Sequence, residues 1–224
     1  MRRPETICEG WFAPRRWGKS YQLEGRARHL AQMPSVASVF LLDPPRSFQD
    51  RPGFETFSDW REFQERVQTH KALPRVAVFQ FNIGEKKDDI RRIWRPPFRY
   101  AIAVGNCAVV VDEVHHFAPS AAGPLIPELT QISTMGRHLP DHRGVPQRSH
   151  LIVASQRPTD VHTRIRDNLA TVVVGKLRAR AARNWVRDQY DQAALERMDK
   201  LRRYEWATVE PDGARVPETA PVPL

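Results

Sequence analysis

Residues 107–113 read Cys-Ala-Val-Val-Val-Asp-Glu, five apolar residues with no polar alternation that end abruptly in two carboxylates. A half-exposed strand would alternate apolar and polar residues, whereas an unbroken β-branched run fits a strand covered on both faces. Similar runs occur at residues 6–12, 36–42, 75–81, 150–155 and 171–175. Polar or helix-patterned segments separate them, which predicts an α/β fold with a mostly parallel central sheet flanked by helices. Residues 203–209 read as an added edge strand.

Between the strands, helices are predicted at 20–32, 178–188 and 191–201, with Asp191 as an N-cap. Another begins at Ser58 as its cap and aligns Trp60, Phe63 and Val67 on one face. Two stretches read as irregular: 43–57, with Pro44, Pro45, Pro52 and Gly53, and 137–149, rich in His, Arg and Pro. One domain is predicted over 1–210, followed by a flexible Pro-rich tail at 211–224.

The chain carries 35 Lys and Arg against 26 Asp and Glu, a net charge of +9, which suits a polyanionic partner such as nucleic acid. Cys8 and Cys107 are the two cysteines and lack metal-ligand spacing, so a disulfide framework is excluded and a reducing compartment is expected. No apolar run reaches the roughly 18–20 residues of a membrane span, and no signal-peptide core follows Met1. A soluble intracellular protein is expected.

Residues 13–20 read Ala13-Pro14-Arg15-Arg16-Trp17-Gly18-Lys19-Ser20, between a predicted strand and a predicted helix. The second half satisfies the phosphate-loop pattern G-x-x-x-x-G-K-[ST]: Gly18 for close backbone approach, Lys19 for the β- and γ-phosphates of ATP, Ser20 for Mg²⁺. Ala13 stands where the pattern has its first glycine. The Asp112-Glu113 pair, at the carboxyl end of a buried strand, lies where open α/β sheets bind ligands. Asp112 is the candidate metal residue and Glu113 the candidate base for the attacking water. His115 and His116 follow, either coupling the site to a partner or serving in capping and packing.

With Ser133–His138 and the segment Ala154-Ser155-Gln156-Arg157-Pro158 through Asn168, the chain resembles the FtsK/HerA superfamily of DNA-pumping ATPases. Within it, the resemblance is nearest to genome-packaging ATPases of tailless, membrane-containing viruses. It covers roughly residues 6–177 in motif order. The resemblance implies a RecA-like (ASCE) P-loop NTPase fold, a homo-oligomeric ring (hexamer or pentamer) and translocation of double-stranded DNA. Capsid vertex proteins are implied as further partners, and the host cytoplasm or the packaging vertex as the location. It assigns Gln156 as the polar sensor of the γ-phosphate and Arg137 as the arginine finger supplied in trans, with Arg164 and Arg166 as rivals. Arg91-Arg92 and Lys86-Lys87 are candidates for gripping phosphates. The chain departs from the family at Ala13 and in the longer segment 139–149. It also lacks the accessory barrel or anchor of cellular relatives, which favours a bare viral motor core. Two alternatives follow: a phage-assembly ATPase of the zonula-occludens-toxin type, or a DNA-binding scaffold that has lost hydrolysis.

Overall fold

The computed structural model describes residues 6–82, 87–120, 125–136, 139–140, 144 and 146–209. Arg137, Lys86 and the tail at 211–224 lie outside the described residues, as does the side chain of Lys87. In chain order the elements are β1 (Cys8–Phe12), α1 (Lys19–Gln32), β2 (Ser38–Leu42), β3 (Glu55–Phe57), α2 (Trp60–His70), β4 (Val76–Phe79) and α3 (Lys87–Val104). Then come β5 (Cys107–Val111), α4 (Pro127–Met135), β6 (Leu139–Pro140), β7 (Pro146–Gln147), β8 (His150–Ser155) and α5 (Thr163–Arg166). The chain continues through β9 (Thr171–Val174), α6 (Arg180–Gln189), α7 (Gln192–Lys200) and β10 (Ala207–Val209).

Eight strands form one sheet in the order β10-β9-β1-β8-β5-β2-β4-β3. Every pairing is parallel except β10 on β9, the edge strand expected from sequence. The apolar runs serve two cores at once, because side chains alternate across the sheet. Phe40, Leu42, Val109, Val111, Leu151 and Val153 face α2, α3, α4, α6 and α7. Val39, Leu41, Ala108, Val110, Ile152 and Ala154 face α1, whose Leu23, Ala27 and Leu30 are fully buried. The sheet is therefore dry on both sides, the condition that an unbroken apolar run requires.

Several local expectations are corrected. The cap of α2 is Asp59, whose side chain accepts from the Glu62 N–H at 2.8 Å. Ser58 stands one residue outside and donates to the Glu62 carboxylate through its N–H and hydroxyl at 2.7 and 3.0 Å. The segment 43–57 is not wholly irregular, since β3 pairs with β4 at its end. Within 137–149, β6 and β7 form a short antiparallel ladder. Asp191 caps α7 as expected, accepting from Ala194 N–H at 2.6 Å. Among the described residues, no helix is long and apolar enough to cross a membrane.

Candidate active site

Parallel pairing brings the carboxyl ends of the central strands to one pole of the sheet. Phe12 of β1 pairs with Ser155 of β8, and Val111 of β5 with Val153 of β8. The chain leaves β1 into residues 13–18, β5 into Asp112-Glu113, and β8 into Gln156. Three segments remote in sequence therefore meet for a topological reason.

The loop 13–18 is tethered by the Ala13 N–H, which donates to the Ser155 carbonyl at 3.3 Å. It turns through two left-handed residues, Arg16 (φ 59°) and Gly18 (φ 85°), and enters α1. Gly18 is the position where a side chain would be strained. Ala13 is not among the positive-φ residues and is fully buried, so this backbone needs no glycine there. Bulky Trp17 is accommodated by turning inward. Its indole N–H donates to the Glu205 carbonyl at 3.0 Å, while Arg15 and Arg16 stay exposed. The indole lies on Gly175, where an added Cβ would sit 2.4 Å from its nitrogen and 2.8 Å from Ala13 Cβ. Gly10, three residues upstream, has a different task. It admits Leu169 and Phe12 side chains that a Cβ there would meet at 2.4 and 2.8 Å.

Lys19 is buried at the start of α1, with 7% exposure. Its ammonium donates to the Ala13 carbonyl at 2.9 Å and the Pro14 carbonyl at 3.4 Å, and lies 3.9 Å from Glu113 Oε1. Burial pulls its pKa below the usual lysine value against the pull of Glu113 and Asp112. Ser20 Oγ donates to Asp112 Oδ2 at 3.4 Å.

Asp112 is 2% exposed, and its Oδ1 accepts from the Glu113 N–H at 2.9 Å. Burial, reinforced by the charges of Glu113 and Asp43, raises its pKa to about 7, with Lys19 opposing. Glu113 is a left-handed non-glycine residue (φ 48°), a conformation that costs energy and gathers at functional sites. Gln156 Nε2 donates to its Oε1 at 3.4 Å, and His115 Nδ1 lies 3.3 Å from its Oε2. Burial alone would raise the Glu113 pKa, but the contacts with His115, Lys19 and Gln156 hold it below the ordinary value. Glu113 is thus kept ionised beside a carboxylate that readily takes a proton.

Sequence reasoning missed two members of this neighbourhood, Asp43 and Gln80, and left the role of His115 open. Asp43, at the end of β2, is fully buried and accepts from the Ser47 and Phe48 N–H groups at 2.8 and 2.9 Å. Gln80, just after β4, donates to it at 2.7 Å. His115 Nδ1 also lies 3.2 Å from Ser155 Oγ, linking the carboxylate turn to β8. Asp43 had a readable signal, because it ends an apolar run as Asp112 does, but the prolines after it read as a loop. Of the rival arginines, Arg166 packs inward with its guanidinium 5.6 Å from the Trp185 ring centroid, and Arg164 is exposed on α5.

The Ser20 and Asp112 oxygens are hard donors of the kind that Mg²⁺ takes. Among the described residues there is no cluster of three or more His, Cys, Asp or Glu that would hold a metal.

The sequence matches no protein-family model and no curated protein. Its fold does have solved relatives. It is similar to the genome packaging NTPase B204 from Sulfolobus turreted icosahedral virus 2 in complex with ATP-gammaS, at TM-score 0.70 and 13% identity, covering 98% of this chain and 100% of that one. It is also similar to the pCW3 conjugation coupling protein TcpA, at TM-score 0.53 and 12% identity, covering 94% of this chain and 59% of that one. A third relative is Thermomonospora curvata EccC (ATPases 2 and 3), at TM-score 0.55 and 16% identity, covering 95% and 38%. With the eight-stranded sheet, these likenesses establish the α/β RecA-like P-loop ATPase fold.

Two outcomes test the site. Gly175→Ala forces the Trp17 indole and the loop outward, so ATP affinity falls at least about tenfold and stability by about 1–3 kcal/mol; equilibrium binding of a fluorescent ATP analogue and urea unfolding measure both. Asp112 ionises near 3.8 when unfolded and near 7 when folded, so native stability falls as pH rises between those values. The nucleotide-free Asp112→Asn variant therefore melts several degrees above the wild type at pH above about 7, and the two converge as pH falls toward about 4. Equal melting temperatures across the range would contradict the buried, proton-retaining Asp112.

Proposed function

On this P-loop ATPase fold, we propose that the chain is an ATP-hydrolysing motor subunit that moves double-stranded DNA, packaging a viral genome into a preformed capsid. The observation that carries the reading is the convergence of Lys19, Ser20, Asp112, Glu113 and Gln156 at one pole of the sheet. The solved NTPases that this chain matches over nearly their whole length are genome-packaging proteins, some in complex with ATP-gammaS or AMPPCP.

The loop 13–20 receives the phosphates of ATP, with the free N–H groups at the start of α1 directed at the anion. Lys19 exchanges its carbonyl acceptors, Ala13 and Pro14, for phosphate oxygens. Ser20 and Asp112 would hold Mg²⁺, which would neutralise charge on the phosphates. Glu113, ionised and aimed by His115 and Gln156, orients the attacking water and accepts its proton. Gln156 moves from Glu113 to the γ-phosphate when nucleotide arrives, acting as its sensor. Arg137 of a neighbouring subunit in a ring supplies positive charge to the developing transition state. DNA is held through its phosphates without base readout, so binding weakens steeply with salt.

Neither alternative is favoured. The Ala13 substitution motivated a scaffold without hydrolysis, but the loop backbone does not require glycine there. The phage-assembly reading lacks a match as extensive as that to the packaging NTPases.

DNA-stimulated ATP hydrolysis is expected to fall by at least about a hundredfold in Lys19→Ala and Glu113→Gln, with Glu113→Gln still binding ATP. Steady-state phosphate release near the wild-type rate in both variants would refute the site. A mixture of Arg137→Ala and Glu113→Gln subunits is expected to recover part of the lost rate, because an intact base and an intact finger then meet at some interfaces. A mixture as inactive as its components would remove Arg137 from that role.

A further inference from the structure

A groove of about 430 Å³ is lined by Trp60 of α2 and by residues of α3, four of them arginines, Arg91, Arg92, Arg95 and Arg99, and none of its lining residues belongs to the Lys19–Glu113 cluster. Trp60 and Tyr100 form part of its wall, with ring centroids 5.5 Å apart. From this geometry we propose that the α2–α3 groove binds the phosphodiester backbone of duplex DNA, at a contact separate from the ATP site. The inference rests on the DNA-handling reading above and names a surface for it.

The arrangement is a row. Arg91, Arg95 and Arg99 recur every four residues, so their attachment points rise about 6 Å per step along one stripe of the helix. Phosphates along one strand of B-DNA rise about 3.4 Å each while winding about the axis, which puts neighbouring phosphates about 6–7 Å apart, close to this step. A linear cationic row suits a linear polyanion.

The row is partly set before any ligand arrives. Glu128 of α4 is buried and accepts from Arg95 Nε through both oxygens, at 2.7 and 3.0 Å, and Arg99 lies 4.0 Å from the same carboxylate. Holding a guanidinium in place beforehand lowers the ordering cost of binding. Arg92 makes an exposed contact with Asp89 at 3.2 Å, a pair worth little in water. Arg91 is exposed, and no ion pair or hydrogen bond of its side chain is recorded among the described residues. Among the described residues, four guanidinium charges face two carboxylates, Glu128 and Asp89. Trp60, stacked on Phe63 at 4.9 Å, gives a rigid apolar wall on which sugar edges can rest. Arg91 and Arg92 lie within about 8 Å of the start of α3, which follows the carboxyl end of β4.

The test uses the full chain and a fluorescent DNA duplex titrated over a range of salt. The double variant Arg91→Ala/Arg92→Ala is expected to bind roughly tenfold more weakly, with a log–log salt slope shallower by about 2. Arg91→Lys/Arg92→Lys should retain most of the binding, because charge rather than bidentate geometry supplies it. An unchanged urea midpoint in each variant shows that the loss is not one of folding. If the wild type binds duplex and the alanine variant keeps its affinity and slope, the groove assignment is overturned while the motor reading stands. If the alanine variant binds DNA normally but fails to assemble, the occupant is a neighbouring subunit and the proposal is overturned in that direction. A wild type that binds no duplex at all refutes both readings.

Discussion

A buried ammonium beside one buried and one half-buried carboxylate is the interaction on which the rest of this molecule depends. Lys19 taken from water alone would cost several kcal/mol, and so would Asp112. Lys19 is tolerated through its carbonyl acceptors and the nearby carboxylates, and Asp112 by keeping its proton to a higher pH than usual. Lys19 rests on two loop carbonyls and lies 3.9 Å from Glu113, while Asp112 holds Ser20 and the Glu113 N–H. The cluster remains imperfectly balanced, which is why Asp112 ionises only near neutrality. A cation and a phosphate chain would complete that balance, so part of the cost of burying these charges favours binding rather than folding.

The parallel sheet delivers these groups, and its register determines which residues meet. One residue of slip in β5 would point Val109 and Val111 at the wrong core and move Asp112 away from Ser20. Both faces are dry, so register is enforced twice. The same sheet also shapes the loop. Gly175 at the end of β9 leaves space for the Trp17 indole, and the Glu205 carbonyl captures its N–H. A large aromatic residue in the loop thus becomes an anchor for it.

Much of this was legible from local patterns. The apolar runs located the strands of the central sheet, because double burial leaves a mark on every residue. Asp191 announced its helix, since capping is a contact within four residues. Where the signal was local but divided among neighbours, it misled by one position, as at Ser58 and Asp59. Helix α3 was not legible because Pro96-Pro97 stand inside it, and proline normally removes hydrogen bonds from a helix interior. Its tertiary packing, with Trp94 and Phe98 fully buried, outweighs that loss. Strand β3 is three residues long among prolines and glycine, too short for any period to register.

The sequence alone determined the chemistry on offer: a Gly-Lys-Ser loop opening a helix, two carboxylates ending a buried strand, a glutamine ending another, and an excess of arginine. These are statements about residue type and near neighbours, which one dimension can carry. Only the tertiary structure decided that Ala13 needs no glycine, since that depends on the backbone angle and on Gly175, 162 positions away. It also decided that Asp43 and Gln80 stand near Asp112, and that Glu128 of α4 pairs with Arg95 and lies 4.0 Å from Arg99. Each of those contacts joins segments that are distant in the chain, and their geometry exists only once the sheet has closed its register.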